Sequence, residues 1–421
     1  MNFFARYKKI FLIIGFLALI ILAGYFIWSL FFQTATPLTN TSPNATGTIN
    51  GLPSADNGTG SGTDQTGSNG LPTGNGGNSS PIPGQGAQNP NTPTATATGG
   101  LTKTTVLNQT PSLDPVLNSS GQVQFYDKND GKFYKINSDG TKTTLSDKIF
   151  HSVQNVTWAP NTSKAVLEYP DGTKILYDFT TQKQVTLPAH WKDFSFSPDS
   201  NQIISKSIGV DEENRWLVVA NDDGSKATAL EEIGTKDSTV FPSWSPNNQV
   251  VALYTEGLDL NRQNVYFVGL NGENFKSTIV EGRGLQYQWS TSGDKILYSV
   301  YNTNTNMNPK LWIVDANSDT IGQDRGSIGL STWASKCTFA SNSEVYCAVP
   351  DQLPQGAGLY PELADQTKDS LYKIDLTTGS QKLIAVPDGS YNISQIMVPD
   401  SQDYLYFTDK FSGSIYKVNL K

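Results

Sequence analysis

Few residues of this 421-residue chain could do chemistry, and they are scattered. There are two cysteines, Cys337 and Cys347, and two histidines, His151 and His190. A zinc site needs about four ligands at characteristic spacings, and this cysteine pattern supplies none. The cysteines flank a turn centred on Asn342 at equal distance. In a hairpin they would lie opposite each other, within reach of a cross-strand disulfide at a non-hydrogen-bonded pair. Two buried thiols is the other reading. No Gly-x-Ser-x-Gly elbow, phosphate loop or metalloprotease motif occurs, and the Gly-Thr-Gly-Ser-Gly run at Gly58 has the wrong order. The run Asp127-Lys-Asn-Asp-Gly places Gly131 one residue early for a calcium loop, so it reads as a hairpin turn. The expectation is a protein without catalytic residues, metal or cofactor.

Charge narrows the partners. The formal net charge is −8. Before Leu101 the only charged residues are Arg6, Lys8, Lys9, Asp56 and Asp64, which leaves 27 basic and 36 acidic residues beyond it. Nucleic-acid affinity rests on neutralising phosphates with Lys and Arg, so nucleic acid is excluded. Broad contact with anionic lipid is disfavoured for the same reason.

The elements that position these residues come from a repeat. An aromatic, a small residue, often Pro, and a polar turn recur at Trp158-Ala-Pro-Asn, Phe196-Ser-Pro-Asp, Trp244-Ser-Pro-Asn and Trp289-Ser-Thr-Ser. Weaker copies start at Phe339, Met397 and, without the aromatic, Val116. The spacings are 42, 38, 48, 45, 50 and 58 residues, against about 40–50 for a propeller blade. A strand rich in aromatic and branched residues follows each copy, at Phe133, Ile175, Trp216, Val265, Leu311, Leu371 and Ile415. A third strand closes most units, as at Lys142-Thr-Thr-Leu and Gln184-Val-Thr-Leu. The last unit lacks it, whereas Lys103-Thr-Thr-Val has no unit before it. The N-terminal strand is therefore expected to complete the last blade and remove an exposed edge. The fold class is all-β, a seven-bladed propeller over residues 101–421, or six-bladed if the Val116 copy is spurious.

The aromatic-Ser-Pro-Asp pattern resembles the TolB-type family of WD-repeat-like propellers across residues 101–421. That resemblance implies a fold and a structural role for the motif: the Trp packs between blades and the Pro-Asp forms a tight turn. It assigns no binding role, and its members are often six-bladed.

A propeller has a face of short turns and a face of longer loops. The long loops here are Ser207 to Asn214, Thr255 to Gln263, Tyr301 to Pro309 and Pro350 to Asp369, and long loops on one face of a repeat array mark the binding face. The candidate binding residues are His151, His190, Trp191, Asp211, Glu256 and Tyr360. The histidines occupy equivalent inter-blade loops, as a shared ligand site or as exposed polar residues. Asp211, Glu212, Glu213, Glu256 and Asp259 give one side an acidic character, or are solvated loop charge. Tyr360 is an interface anchor or holds its own loop down.

Ahead of the propeller, Ile10 to Phe32 is 23 residues long without a charge, and roughly 20 residues span a bilayer as a helix. Arg6, Lys8 and Lys9 precede it, so the positive-inside rule puts residues 1–9 in the cytoplasm and the rest outside. The run is too long for the apolar core of a cleaved signal peptide, and no Cys follows it for lipid attachment. Residues 33–100 are mostly Gly, Ser, Thr, Asn and Pro, a disordered linker with an r.m.s. reach of about 45 Å. Together these features read as a single-pass membrane protein carrying an extracytoplasmic interaction module for an envelope protein or surface polymer. The alternative is a small-ligand or carbohydrate binder that uses the propeller channel.

Overall fold

The computed structural model describes residues 92–273 and 275–421, together with Leu19 and Leu22. Among these no helix is long and apolar enough to cross a membrane. The basic tail 1–9, the rest of the apolar segment 10–32 and the linker up to residue 91 lie outside the described residues.

The remainder forms seven blades, each with a core of four antiparallel strands, which in blades 1 to 6 follow in sequence order from the inside outward. Blade 1 runs from Ser112–Leu117 to Lys142–Thr144, blade 2 from Asn155–Trp158 to Lys183–Leu187, and blade 3 from Trp191–Phe196 to Thr228–Glu232. Blade 4 runs from Val240–Pro242 to Thr278–Val280, blade 5 from Arg283–Trp289 to Gly326–Ser327, and blade 6 from Cys337–Ser341 to Ser380–Pro387. Blade 7 has three strands from Ile393–Met397 to Ile415–Asn419. Its fourth is Thr105–Asn108, antiparallel to Ile415–Asn419, so the N-terminal strand closes the ring as expected. A second N-terminal piece, Leu101–Thr102, adds a parallel fifth strand to the rim of blade 6. Upstream of it, Thr94 bridges to Thr102, Ala97 N–H donates to Asn419, and Gly99 N–H donates to Ile384.

The repeated motif ends each innermost strand and makes the first turn. The N–H groups of Thr162, Ser200, Asn248 and Gly293 each bond the carbonyl three residues back. All four have positive φ, from 54° to 75°. Gly121 closes the turn after Val116 in the same way, at φ 72°. The weakest copy is therefore a true blade, and the count is seven rather than six. Glycine meets this φ without strain and Asn tolerates it, whereas Thr162 and Ser200 hold it against their preference.

Blades hold together because a twisted sheet cannot bury both faces alone. Trp158 of blade 2 stacks on Phe179 of its own blade at 5.2 Å and meets Phe133 of blade 1 edge-on at 5.6 Å. Trp244 buries itself among Ile204 and Leu217 of blade 3 and Val251 of blade 4. Hydrogen bonds join successive inner strands: Val156 N–H to Asp114 at 2.8 Å, Trp244 N–H to Ser195 at 2.9 Å, Trp289 Nε1 to Ser243 at 2.9 Å. Between blades 7 and 1, Gln395 donates to the Pro115 carbonyl at 3.0 Å. The motif aromatics are thus inter-blade wedges.

Cys337 and Cys347 are direct partners in the blade 6 register. They form a disulfide across a Cα–Cα distance of 4.0 Å, which settles the choice left open by the sequence.

Candidate functional site

The long loops and the inter-blade loops share one face of the ring, opposite the short motif turns. In blade 3, Gly209 N–H bonds the Asn214 carbonyl at 3.2 Å, and the Arg215 guanidinium holds the Gly209 and Val210 carbonyls at 3.1 and 3.2 Å. This tight loop leaves Val210 95% exposed beside Asp211, Glu212 and Glu213. In blade 4, the carboxylate of Asp259 takes Arg262 at 2.8 Å, and Arg283 donates to the Asp259 carbonyl. Leu258 and Leu260 project outward, the latter 80% exposed.

The loops are stitched to one another. Asn261 of blade 4 accepts from the N–H and hydroxyl of Thr303 of blade 5 at 2.9 and 3.0 Å. Asn306 and Met307, both in the left-handed region, turn their carbonyls toward the blade 6 loop, where Gly356 and Gly358 N–H bond them at 2.9 and 2.8 Å. Gly358 sits so close that a Cβ there would lie 2.6 Å from the Met307 carbonyl oxygen and from Tyr301 Cβ. The blade 6 loop also has its own small core of Trp333, Leu353, Ala357 and Ala364. On its outer side Leu359, Tyr360 and Leu363 are exposed, Tyr360 by 61%.

The stitched loops enclose a groove of about 610 Å³ lined by Leu258, Leu260, Arg283, Tyr301, Met307 and Leu359. Ile149 and Phe411, on the inter-blade loop after blade 1 and the second loop of blade 7, are exposed on the same face. Among the described propeller residues, the other exposed large apolar side chains, Val106, Val185 and Ile279, are on outermost strands. None lies on the short-turn face.

A separate pocket of about 170 Å³ is lined by residues including Gln286, Trp333, Lys336, Asn392, Ser394 and Lys410. Lys336 Nζ reaches both Asp369 oxygens, at 3.1 and 2.9 Å, and Asn392 Oδ1 at 3.0 Å. Burial pushes the Asp369 carboxyl up and the Lys336 ammonium down, and each opposes the shift of the other. Asn392 Nδ2 also holds the Ala364 and Asp365 carbonyls at 3.1 Å each, and Lys410 pairs with Asp365. The pocket wall thus anchors the blade 6 loop.

The candidate residues read from the sequence fall in three groups. Asp211, Glu256 and Tyr360 are exposed on the loop face, Glu256 next to the groove residue Gly257 and Tyr360 next to Leu359. His151 and His190 are exposed on inter-blade loops after blades 1 and 2, away from the groove-forming loops of blades 4 to 6. No group of three or more metal-ligating residues exists among the described residues. Trp191 is a core residue, 4% exposed and packed among Leu187, Phe194 and Ile203. Inner-strand carboxylates are engaged in structure: Asp114 accepts from Val156 N–H, and Asp193 pairs with Lys206 at 2.6 Å. Asp127 of the rejected calcium loop accepts from Thr110, Lys142 and Asn129 N–H. Burial would raise its carboxyl, but these donors lower it below the ordinary value. The aliphatic groove residues escaped a reading that looked at charge. The available signal was Leu-Asp-Leu at Leu258, apolar residues without strand period in a polar loop.

No family model matches the chain, and no curated protein matches its sequence. Among solved structures the fold is similar to the β-propeller domain of Cps50 (Swd1) from Myceliophteria thermophila, with 12% identity and a TM-score of 0.50, covering 76% of this chain and 100% of that one. It is also similar to oligogalacturonate lyase from Vibrio parahaemolyticus, with 12% identity and a TM-score of 0.49, covering 76% and 93%. A prolyl endopeptidase gives 14% identity and a TM-score of 0.49, covering 75% and 49%. At these identities the likeness concerns the fold alone.

Proposed function

We propose that this protein is a single-pass, envelope-anchored interaction module of TolB-like type whose loop face binds a protein or surface polymer outside the cytoplasm. The observation that carries the reading is the one-sided distribution of exposed apolar side chains, which among the described propeller residues occur on the loop face, Leu258, Leu260 and Leu359 of them at the groove, and not on the short-turn face. Exposed apolar patches mark interaction sites. The apolar segment after Arg6, Lys8 and Lys9 supports the anchor, and the Cys337–Cys347 bond fits an oxidising exterior. The test is proximity crosslinking of the full chain in intact cells, wild type against Leu260→Ser/Tyr360→Ser. Both positions are exposed, so the fold is kept. The expected result is an envelope component captured by wild type and lost in the variant; equal capture by both would sink the reading.

A second reading, a small-ligand or carbohydrate binder, draws on the 170 Å³ pocket with its Trp333 wall and its amides Gln286 and Asn392. Titration with a panel of neutral and acidic sugars, followed by tryptophan fluorescence, checks it. No saturable change would leave the loop-face reading alone.

A further inference from the structure

Of the ion pairs among the described residues, Lys336–Asp369 is the one in which neither side chain is more than 10% exposed. A third buried group, Asn392, joins it: Asn392 Oδ1 accepts from Lys336 Nζ at 3.0 Å. A buried ion pair contributes little stability that apolar side chains of the same size would not, yet here three polar groups converge.

The three come from separate parts of the chain. Lys336 ends a short 3-10 turn ahead of the inner strand of blade 6, Asp369 opens the third strand of that blade, and Asn392 directly precedes the inner strand of blade 7. Asp369 is fixed by Ile393 N–H at 2.6 Å as well as by Lys336. Asn392 Nδ2 donates to the Ala364 and Asp365 carbonyls, which turns the amide oxygen toward the amine. Trp333 lies beside Nζ, with its ring centroid at 5.6 Å.

An amine next to an amide carbon, with a carboxyl to carry protons, is the reactant set for an amide bond between side chains. Lysine becomes a nucleophile when it is desolvated and neutral. Burial lowers the Lys336 ammonium and raises the Asp369 carboxyl, which favours proton transfer along their 2.9 Å hydrogen bond. A carbonyl carbon is about 1.2 Å from its oxygen, so Asn392 Cγ is within about 4 Å of Nζ. Rotation of the Lys336 side chain brings the two to the roughly 3–3.5 Å from which attack proceeds.

We propose that Lys336, Asp369 and Asn392 are a self-modification site at which Lys336 Nζ and Asn392 Cγ become joined by an isopeptide bond. Asp369 takes a proton from Nζ, and the freed lone pair forms the Nζ–Cγ bond. The Cγ–Nδ2 bond then breaks, and its electron pair leaves with the nitrogen. Nζ gives up two protons in all, both through Asp369, and the departing NH2 group carries them away as ammonium. Nothing is oxidised or reduced. The pocket lined by Asn392 and Lys336 gives the ammonium a way out. The product ties blade 6 to blade 7 covalently, next to the Cys337–Cys347 disulfide, whatever the loop face binds.

The test is a peptide map by mass spectrometry of the full chain in detergent, reduced and digested, beside Lys336→Arg and Asp369→Asn. Arg keeps its charge at all working pH values and does not attack. Asn keeps the size of Asp369 without its proton traffic. Wild type is expected to give a branched peptide joining Lys336 to Asn392, lighter than its two parts by one ammonia, in nearly every molecule. Both variants are expected to give the two parts separately. Separate parts at full mass from wild type would overturn the proposal, and so would an ammonia loss without the branched peptide, as from ring closure at an asparagine. The branched peptide in Asp369→Asn would overturn the proposed triad. The wild-type map decides by itself, so a variant that fails to fold leaves the test standing.

Discussion

On one side of the ring the chain turns within a few residues, as at Ala159 to Thr162, and closes on a left-handed residue whose N–H is already bonded. On the other side the loops of blades 4 to 6 spread outward, bond to one another and leave leucines in solvent. The first side has side chains chosen for backbone geometry. The second has side chains that contribute nothing to the core, while the backbone beneath them is held firmly. A firmly held backbone beneath exposed apolar side chains is the arrangement on which the proposed loop-face role rests.

Several substitutions break or sharpen this contrast. The largest effect belongs to the framework. Trp244→Ala removes a buried wedge between blades 3 and 4 and is expected to cost about 3–5 kcal/mol, seen as a lower urea midpoint. Leu260→Ser on the loop face is expected to stay within about 0.5 kcal/mol of wild type. A comparable loss at both sites would dissolve the distinction between the faces.

Next comes the blade 6 disulfide. Cys337→Ala/Cys347→Ala is expected to cost about 2–3 kcal/mol, and dithiothreitol should lower the wild-type midpoint while leaving the variant unmoved. Gly358→Ala is smaller and local. Its Cβ would push against the Met307 carbonyl, at about 1–3 kcal/mol. Hydrogen exchange should speed up at Gly356 and Gly358 while the blade strands keep their protection; uniform protection would show that the loops are not stitched as described.

The smallest effect concerns acid. Asp127 is nearly buried, with Lys142 at 2.9 Å, and its carboxyl is held below 3.8. A carboxyl lowered on folding stabilises above its unfolded value and loses that contribution as pH falls through the folded one. Wild type should lose more stability than Asp127→Asn between pH 6 and acid in urea titrations. Parallel curves would place the acid sensitivity elsewhere.

Much of the framework was legible because its signals are local. The turn after Val116 needed only Gly121 to identify it, and equal spacing about Asn342 located the Cys337–Cys347 pairing. The groove was not legible. Leu258, Met307 and Leu359 come from three blades; the Asn261 side chain joins the first loop to the second, and the second meets the third through backbone bonds between glycine N–H groups and the Asn306 and Met307 carbonyls, none of which has a local sequence signature. Trp191 misled for a related reason: it adjoins an exposed histidine yet points into the seam of blades 2 and 3.

The rim pieces at the N-terminus also have a mechanical reading. Tension entering the propeller from its N-terminal side meets the Thr94–Thr102 bridge and the short parallel pairing of Leu101–Thr102 before it reaches Thr105–Asn108. These outer pairings can peel one bond at a time and act as a fuse in series with the ring clasp. The closing strand carries load only after they have let go.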